Sequence, residues 1–459
     1  MPIGAIKLFP SREHLGEEIL FTRFSYGGDA MVRTIETDRN FPTMHFANAQ
    51  LGDVRRTRRL VTTAELIRRH PGGSFPDKFH SPKDLDAFYD LCNRPEVTHE
   101  SVLAPHRELT LSRIAEAEQT VLIVHDSTEL DYTGRKSLEG QLGQIGNGNR
   151  RGYICHNSLA VNPVGRAAVG LVSQVLHRRE NTPKDETAAQ SRERESRESR
   201  IWIQGTSALP ADWRLVDVCD RGADTFEFLA HECNSGRRFV IRSCYNRVMF
   251  EGDEDGGARR YLHSFARTLK PFCRKTKKVN VAARDGQSAR TAHVMIAGAP
   301  VRLNVPLQAR GHYPHCRLLV WIVRVWEPDP PDGAEPLEWF LLTNEPVGTH
   351  KDALRVVGWY ECRWIIEELH KAMKTGCDIE NPQFTKVERL QPAIALLSIV
   401  ALTLLNLRDA SRMADAKTRS ACELFSCDYI EVLSGWRYGE VRSNLTVHDF
   451  FYALGAASN

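Results

Sequence analysis

The chain alternates between segments whose apolar positions recur every three or four residues and short unbroken apolar runs that end on polar turns. From Phe46 to His70 (FANAQLGDVRRTRRLVTTAELIRRH), Leu60, Ala64 and Ile67 form a helical stripe and arginines cover the rest. Residues 81–116 continue in short helical patterns (DLDAFYDLCNRPEV). Thr120 to His125 (TVLIVH) and Leu215 to Cys219 (LVDVC) are continuous apolar runs, the pattern of strands buried on both faces. Each is followed at once by an aspartate, Asp126 and Asp220. Further strand-like runs lie in SLAVNPVG and AAVGLVSQVL between 158 and 176 and in RFVIR at 238–242. RGADTFEFLAHE, from Arg221, starts a helix, and the charge run 180–200 predicts an exposed loop entering another.

From 243 to 345 the rhythm changes. Alternating segments (KVNVAARD, TAHVMIAG, RLNVPL, RLLVWIVRVW, EWFLLT) separated by Gly, Pro and Asp predict a β-rich insertion. Helical pattern returns near residue 350. The longest apolar run, Ala393 to Leu405, is too short to span a bilayer and predicts a buried helix. Residues 1–45 have weak periodicity and no assignment, and 411–459 are mixed.

The pattern therefore predicts several domains, as a length of 459 residues requires. Hydrophobic content of 42%, charged content of 26% and a formal charge of +3 describe an ordinary globular chain and do not announce a nucleic-acid binder. Clustering changes that picture: Arg55-Arg56 with Arg58-Arg59, Arg68-Arg69, Arg150-Arg151 and RKTKK at 274–278 form local patches able to meet phosphates. Eleven cysteines without a CxxC pair argue for free thiols in a reducing compartment and against a zinc ribbon. The N-terminus has no apolar core long enough for a signal peptide, and no Walker motif is present. These features place the protein in the cytoplasm, away from membranes.

The densest chemistry falls between Tyr360 and Asp378 (YECRWIIEELHKAMKTGCD). On a continuous helix, Tyr360, Arg363, Glu367 and Lys374 fall at about 0°, 300°, 340° and 320°, a stripe roughly 60° wide. Cys362, Ile365, Ile366, Leu369 and Met373 take the opposite side. Such a face is either a solvated surface with weak ion pairs or a site where a carboxylate meets a metal while its cationic neighbours hold phosphate.

Asp126 and Asp220 bear on that choice. The C-terminal edge of buried parallel strands is where open α/β sheets bind ligands. An aspartate after a strand is most often a turn or helix cap. Two of them with the glutamate of a later helix make a donor set for two Mg²⁺ ions, with Mn²⁺ as a substitute, better suited to hard cations than to zinc.

These residues are similar to the DDE transposases of bacterial insertion sequences, the subgroup with a Y-(2)-R-(3)-E-(6)-K signature, here Tyr360, Arg363, Glu367 and Lys374. The surroundings also match: HDSTELDY with Asp126, VCDRGAD with Asp220, RFVIRS at 238–243, LLTNEPV at 341–347, ALRVVGWY at 353–360, RWIIEELHKAMKTG at 363–376 and LGDVRRTRRL at 51–60. The resemblance implies an α/β fold: a ribonuclease-H-like core (117–242 and 346–410) interrupted by the β-rich insertion (243–345), with an N-terminal all-α DNA-binding domain (46–116). The mostly helical C-terminal region (411–459) is then used for dimerisation.

It implies cut-and-paste DNA transposition through a DNA hairpin, with double-stranded terminal inverted repeats and target DNA as partners and a homodimer in the synaptic complex of a bacterial, nucleoid-associated protein. By the same resemblance Asp126, Asp220 and Glu367 are the catalytic metal ligands. Tyr360, Arg363 and Lys374 hold the phosphate of a flipped base, and His370 and Lys371 lie against DNA. Trp339 stacks on that base and Arg242 serves the hairpin, where the plainer readings are a core tryptophan and a strand-end surface charge. Arg55, Arg56 and Arg59 are the expected N-terminal phosphate contacts, unless they are a solubilising face.

The first 45 residues have no counterpart in that family, and the chain stops at Asn459, soon after LTVHDFFYALG. Two alternatives stay open: a catalytically retired DNA-binding inhibitor of a related transposase, and a structure-specific nuclease of the same fold.

Overall fold

The computed structural model describes residues 40–457, apart from His80, Asn181, residues 183–184, 252–257, 283–287 and 314–317, Ala414 and Ser426. Nearly all of the unassigned segment 1–45 lies outside the described residues. The chain forms two units: residues 1–117, 129–153 and 367–459 make the first, and residues 118–128 and 154–366 the second. Among the described residues twelve strands occur in chain order: β1 Val121–Asp131, β2 Gly143–Gln144, β3 Arg151–Asn162, β4 Ala167–His177, β5 Leu215–Cys219, β6 Arg238–Arg242, β7 Val248–Glu251, β8 Arg259–Tyr261, β9 Lys277–Val281, β10 Arg290–Leu303, β11 Leu318–Trp326 and β12 Glu338–Thr343.

The first unit is mainly helical. Helix Val54–Arg69 starts later than its arginine-rich pattern suggests, because Gly52 takes a positive φ of 75° and Asp53 accepts the Arg55 N–H as its cap. A separate short helix, Phe41–Phe46, precedes it. Thr98 and Ser101 close a reciprocal capping box at the start of helix His99–Glu116. Helix Val387–Ser411 packs against His99–Glu116 and Val54–Arg69. It is long and apolar enough to cross a membrane, but 83% of its most apolar stretch is buried, and a helix apolar all round belongs in a core.

Phe75, Phe88, Tyr89 and Phe384 meet edge to face nearby, with centroids 4.7–6.3 Å apart. The Gly73 N–H donates to Asp378 at 2.6 Å, tying the N-terminal helices to the segment after residue 376. Asp378 itself sits at φ 48°, a left-handed geometry that aspartate tolerates better than most residues. Ile430, Val447, Phe450 and Phe451 form a small C-terminal core, with Phe425 stacked on Phe450 at 3.9 Å.

The second unit is built on a sheet of order β4-β3-β1-β5-β6-β12-β11-β10-β7-β8, with β9 paired to β10. β1, β5 and β6 are parallel, with Val121–His125 in register with Leu215–Cys219 and Val216–Cys219 with Arg238–Ile241. β3 and β4 form an antiparallel hairpin, and the pairings β6–β12, β12–β11, β11–β10, β10–β7 and β7–β8 are antiparallel. The segment expected as a β-rich insertion thus continues the same sheet through β12, whose Leu341 lies opposite Arg242.

β1 outruns its expected end. The apolar run stops at His125, but the strand continues to Asp131 with a half-buried pattern after the ladder with β5 has ended. The charge run 180–200 is tied down: Arg197 and Arg200 both pair with Glu227.

Beneath the parallel strands, His125 Nε2 lies 2.9 Å from Asp217 Oδ1, and Arg237 Nε donates to Asp217 Oδ2 at 2.8 Å, all three buried. Desolvation works to raise Asp217's pKa, but the His125 and Arg237 partners outweigh it and hold the carboxyl below its usual range. Burial and the neighbouring Asp217 carboxylate push Glu232 well above the carboxylate range, against the pull of Arg237.

Candidate active site

The site grows from the register of two strands. His125 and Cys219 are the last paired residues of β1 and β5, so Asp126 and Asp220 follow at the same level on neighbouring parallel strands. Asp126 accepts the Ser127 N–H at 2.8 Å through Oδ1, and the Arg363 guanidinium at 3.1 Å through Oδ2. Both partners of that pair are mostly buried, with side-chain exposures of 17% for Arg363 and 16% for Asp126. Asp220 leaves the sheet and caps the turn Arg221–Ala223 by accepting the Gly222 N–H at 2.8 Å. Any side chain at Gly222 would begin 3.0 Å from the Trp202 ring, which explains the glycine in this turn.

Helix His350–Glu361 lies across β5, β6 and β10, started by a capping box between Thr349 and Asp352. It delivers Tyr360, 5% exposed, to the sheet. The Tyr360 ring meets Trp339 edge-on at 5.3 Å, and the Arg242 guanidinium lies beside its hydroxyl. Trp339 and Arg242 share a face, because Leu341 opposite Arg242 is two residues from Trp339. Trp339 is half-buried, with its ring against Tyr360.

Burial raises the Tyr360 hydroxyl above the usual tyrosine value, against the pull of Arg242 and Arg363. Burial likewise lowers Arg242, with Tyr360 opposing and Arg221 and Arg363 adding repulsion. Three guanidinium groups and a buried phenol around two carboxylates suit an anion with tetrahedral oxygens on one side and a cation on the other.

The helix expected from Tyr360 to Asp378 is not continuous. Helix His350–Glu361 ends, the tight bonds Cys362 N–H to Trp359 O and Arg363 N–H to Tyr360 O intervene, and helix Trp364–Lys371 follows. A π-helical turn, Ala372–Gly376, closes it. The projection at 100° per residue therefore holds only within each piece, since three-residue turns advance faster and π turns slower.

The second unit brings together Asp126, Asp220, Arg242, Trp339, Tyr360 and Arg363. Glu367, His370, Lys371 and Lys374 belong to the first unit, with Arg55, Arg56 and Arg59. Within that unit Lys374 Nζ lies 3.5 Å from Glu380 Oε1, which also accepts the Asp131 N–H at 2.8 Å. His370 is buried at 8% exposure. Among the described residues, no three Asp, Glu, His or Cys side chains converge as a preformed metal cage. Asp126 and Asp220 nevertheless fit a hard cation by donor type, and Asp126 already spends one oxygen on a positive charge.

The N-terminal arginines differ from one another. Arg55 is 84% exposed and pairs with Asp53 at 2.7 Å, and its hydrogen bonds hold the Asp53 carboxyl down to about 2. Arg56 is turned inward to Leu51 O at 2.9 Å and Glu96 at 3.0 Å, and Arg59 pairs with Asp84 at 2.9 Å. All three line an open cleft with Asp90 and Arg94. Arg94, which lines that cleft, and Arg221, near Arg242, are candidates that pattern reading passed over. Arg221's position directly after Asp220 was the available signal, whereas Arg94 is brought in only by folding.

Residues 38–97 match the family model described as Transposase DNA-binding. A solved structure described as the piggyBac transposase synaptic complex with hairpin DNA aligns over 91% of this chain and 70% of that one, at 8% identity and a TM-score of 0.31. That likeness is too slight to carry an argument about fold or chemistry. The matched N-terminal segment, which contains the arginine-lined cleft, supports a transposase with DNA as its partner.

Proposed function

We propose that this protein is a DDE transposase of the Tyr-Arg-Glu-Lys subgroup, cutting and rejoining DNA at the ends of a mobile element. The observation that carries the reading is the level pair Asp126 and Asp220, flanked by Arg363 and by the Tyr360–Arg242–Trp339 group. The strand order β4-β3-β1-β5-β6, with one antiparallel hairpin beside three parallel strands, supports a ribonuclease-H-like core.

Asp126, Asp220 and Glu367 would hold Mg²⁺, with Mn²⁺ as a substitute. When bound, the metal supplies Lewis acidity and charge neutralisation for displacement at phosphorus. The remaining work falls to the chain. Arg363 and Arg242 neutralise a backbone phosphate, and the Tyr360 hydroxyl, beside Arg242, orients it. The Trp339 edge offers an aromatic surface for a displaced base, which a tight hairpin requires. Lys371 and Lys374 add cationic charge along DNA, and the N-terminal cleft, led by Arg55, meets the inverted repeat through its phosphates. The C-terminal region would serve a homodimer that captures target DNA.

The test is a DNA fragment carrying the coding sequence with its own flanking DNA, incubated with purified protein and Mg²⁺. Metal-dependent nicks and hairpin ends at a short inverted repeat are expected. Binding without any nick would instead give the retired inhibitor, and hairpin hydrolysis indifferent to the flanks would give the nuclease.

A further inference from the structure

The second-aspartate motif VCDRGAD carries another aspartate that the proposed chemistry does not use. Asp224 ends the turn that Asp220 begins, and it is fully buried. Its Oδ2 accepts the Cys244 N–H at 2.8 Å, the Tyr245 N–H at 3.1 Å and the Ser243 hydroxyl at 3.1 Å. Its Oδ1 accepts Arg247 Nη2 at 2.5 Å, and the same nitrogen reaches the Asp224 carbonyl at 2.8 Å.

All these donors belong to Ser243–Arg247, the segment between the end of β6 at Arg242 and the start of β7 at Val248. Sheet bonding holds only the first residue of that segment, through the Ser243 N–H to the Phe340 carbonyl at 2.7 Å, and residues 244–247 lie outside any strand. The Cys244 thiol adds a contact to the Arg221 carbonyl at 3.6 Å. Successive N–H groups turned on one carboxylate make a nest, and the guanidinium completes it. One buried carboxylate thus ties the chain leaving Asp220 to the chain leaving Arg242.

We propose that Asp224 is a positioning residue: it fixes Arg242, and through it the Tyr360 hydroxyl, against the turn that carries Asp220. The proposal rests on the transposase reading for its consequence, because Arg242 and Tyr360 are the groups assigned to the hairpin phosphate. Burial works to keep Asp224 above the ordinary carboxylate range, opposed by Arg247 and the two backbone N–H groups, so the clasp depends on its full donor set. Asparagine at 224 keeps the shape and gives up the charge.

The experiment compares full-length wild type with Asp224→Asn by three readouts. Peptide-resolved iodoacetamide labelling reports Cys244, which is exposed. Peptide-resolved hydrogen exchange reports the segment containing Tyr360. The hairpin-to-nick ratio on the protein's own flanking DNA in Mg²⁺ reports the chemistry. The expected result is Cys244 labelling at least tenfold faster, faster exchange around Tyr360, and a hairpin-to-nick ratio at least tenfold lower. A merely structural loss would reduce both products together and leave the ratio alone. Unchanged Cys244 labelling overturns the clasp, and faster labelling with unchanged exchange around Tyr360 or an unchanged ratio overturns the positioning role. If Asp224→Asn does not fold, Arg247→Gln, which leaves the other three donors, is read the same way with smaller changes expected. A wild type that makes no nicks overturns the transposase reading alone, because labelling and exchange still decide the clasp.

Discussion

At the scale of single residues, Tyr360 joins the two halves of the site. Its ring edge touches Trp339 on β12, its hydroxyl lies beside Arg242 on β6, and it lies three residues before Arg363, which holds Asp126. Replacing Tyr360 with Phe keeps the ring and removes the hydroxyl proposed to meet the hairpin phosphate. A hydrogen bond from that hydroxyl to a charged phosphate is worth about 1.5–3 kcal/mol and is made only with DNA bound, so hairpin yield should fall roughly 10- to 100-fold with little change in thermal stability. Gel analysis of hairpin and nicked products checks this. Asp126, Asp220, Tyr360 and Arg363 were readable because their spacing is local or follows strand ends. Asp224's donors, twenty residues away, and the Lys374–Glu380 pair were not, because only folding brings those partners together.

At the scale of elements, the parallel strands were legible because strands buried on both faces need unbroken apolar runs, and TVLIVH, LVDVC and RFVIR supply them. The continuation of β1 to Asp131 was hidden, since STELD has no such run and its half-buried side chains give no periodic signal. The break between Glu361 and Trp364 was hidden for a related reason: no glycine or proline marks it, and Cys362 and Arg363 are acceptable helix formers. Two changes test the placement of these elements. Thr349→Ala removes the capping box of helix His350–Glu361 and should cost about 1 kcal/mol, seen as a lowered denaturant midpoint with unchanged m-value. Gly152→Ala should not yield folded protein, because its Cβ would stand 1.8 Å from the Leu130 carbonyl oxygen; far-UV dichroism and solubility decide it.

At the scale of the whole molecule, acid sensitivity has an identifiable source in the first unit. His45 and His106 face each other across 2.6 Å between their Nδ1 atoms, both buried. Burial, with His45 and Arg113 adding repulsion, holds His106 well below its ordinary value of 6.5. The unfolded chain therefore binds this proton at a higher pH than the folded one. The contribution is fully present above about pH 6.5 and is lost as pH falls below it, by up to about 1.4 kcal/mol per pH unit. Urea midpoints at pH 7.5 and 5.5 should show the loss, and His106→Gln should flatten it.

DNA binding by the N-terminal cleft should weaken steeply with added salt, as phosphate contacts do. Arg55→Ala should reduce that slope, while Arg56, turned inward to Leu51 O and Glu96, should matter more to stability than to binding.

The central claim, that Asp126 and Asp220 join Glu367 in metal-dependent cleavage of DNA ends, is tested most directly by one comparison. Wild type, Asp126→Asn, Asp220→Asn and Glu367→Gln are each assayed for binding and for Mg²⁺-dependent nicking on DNA carrying the gene's own flanks. Each variant should retain DNA binding and lose nicking by a thousandfold or more, with Mn²⁺ replacing Mg²⁺ in the wild type. Nicking that survives any one of the three substitutions would contradict it.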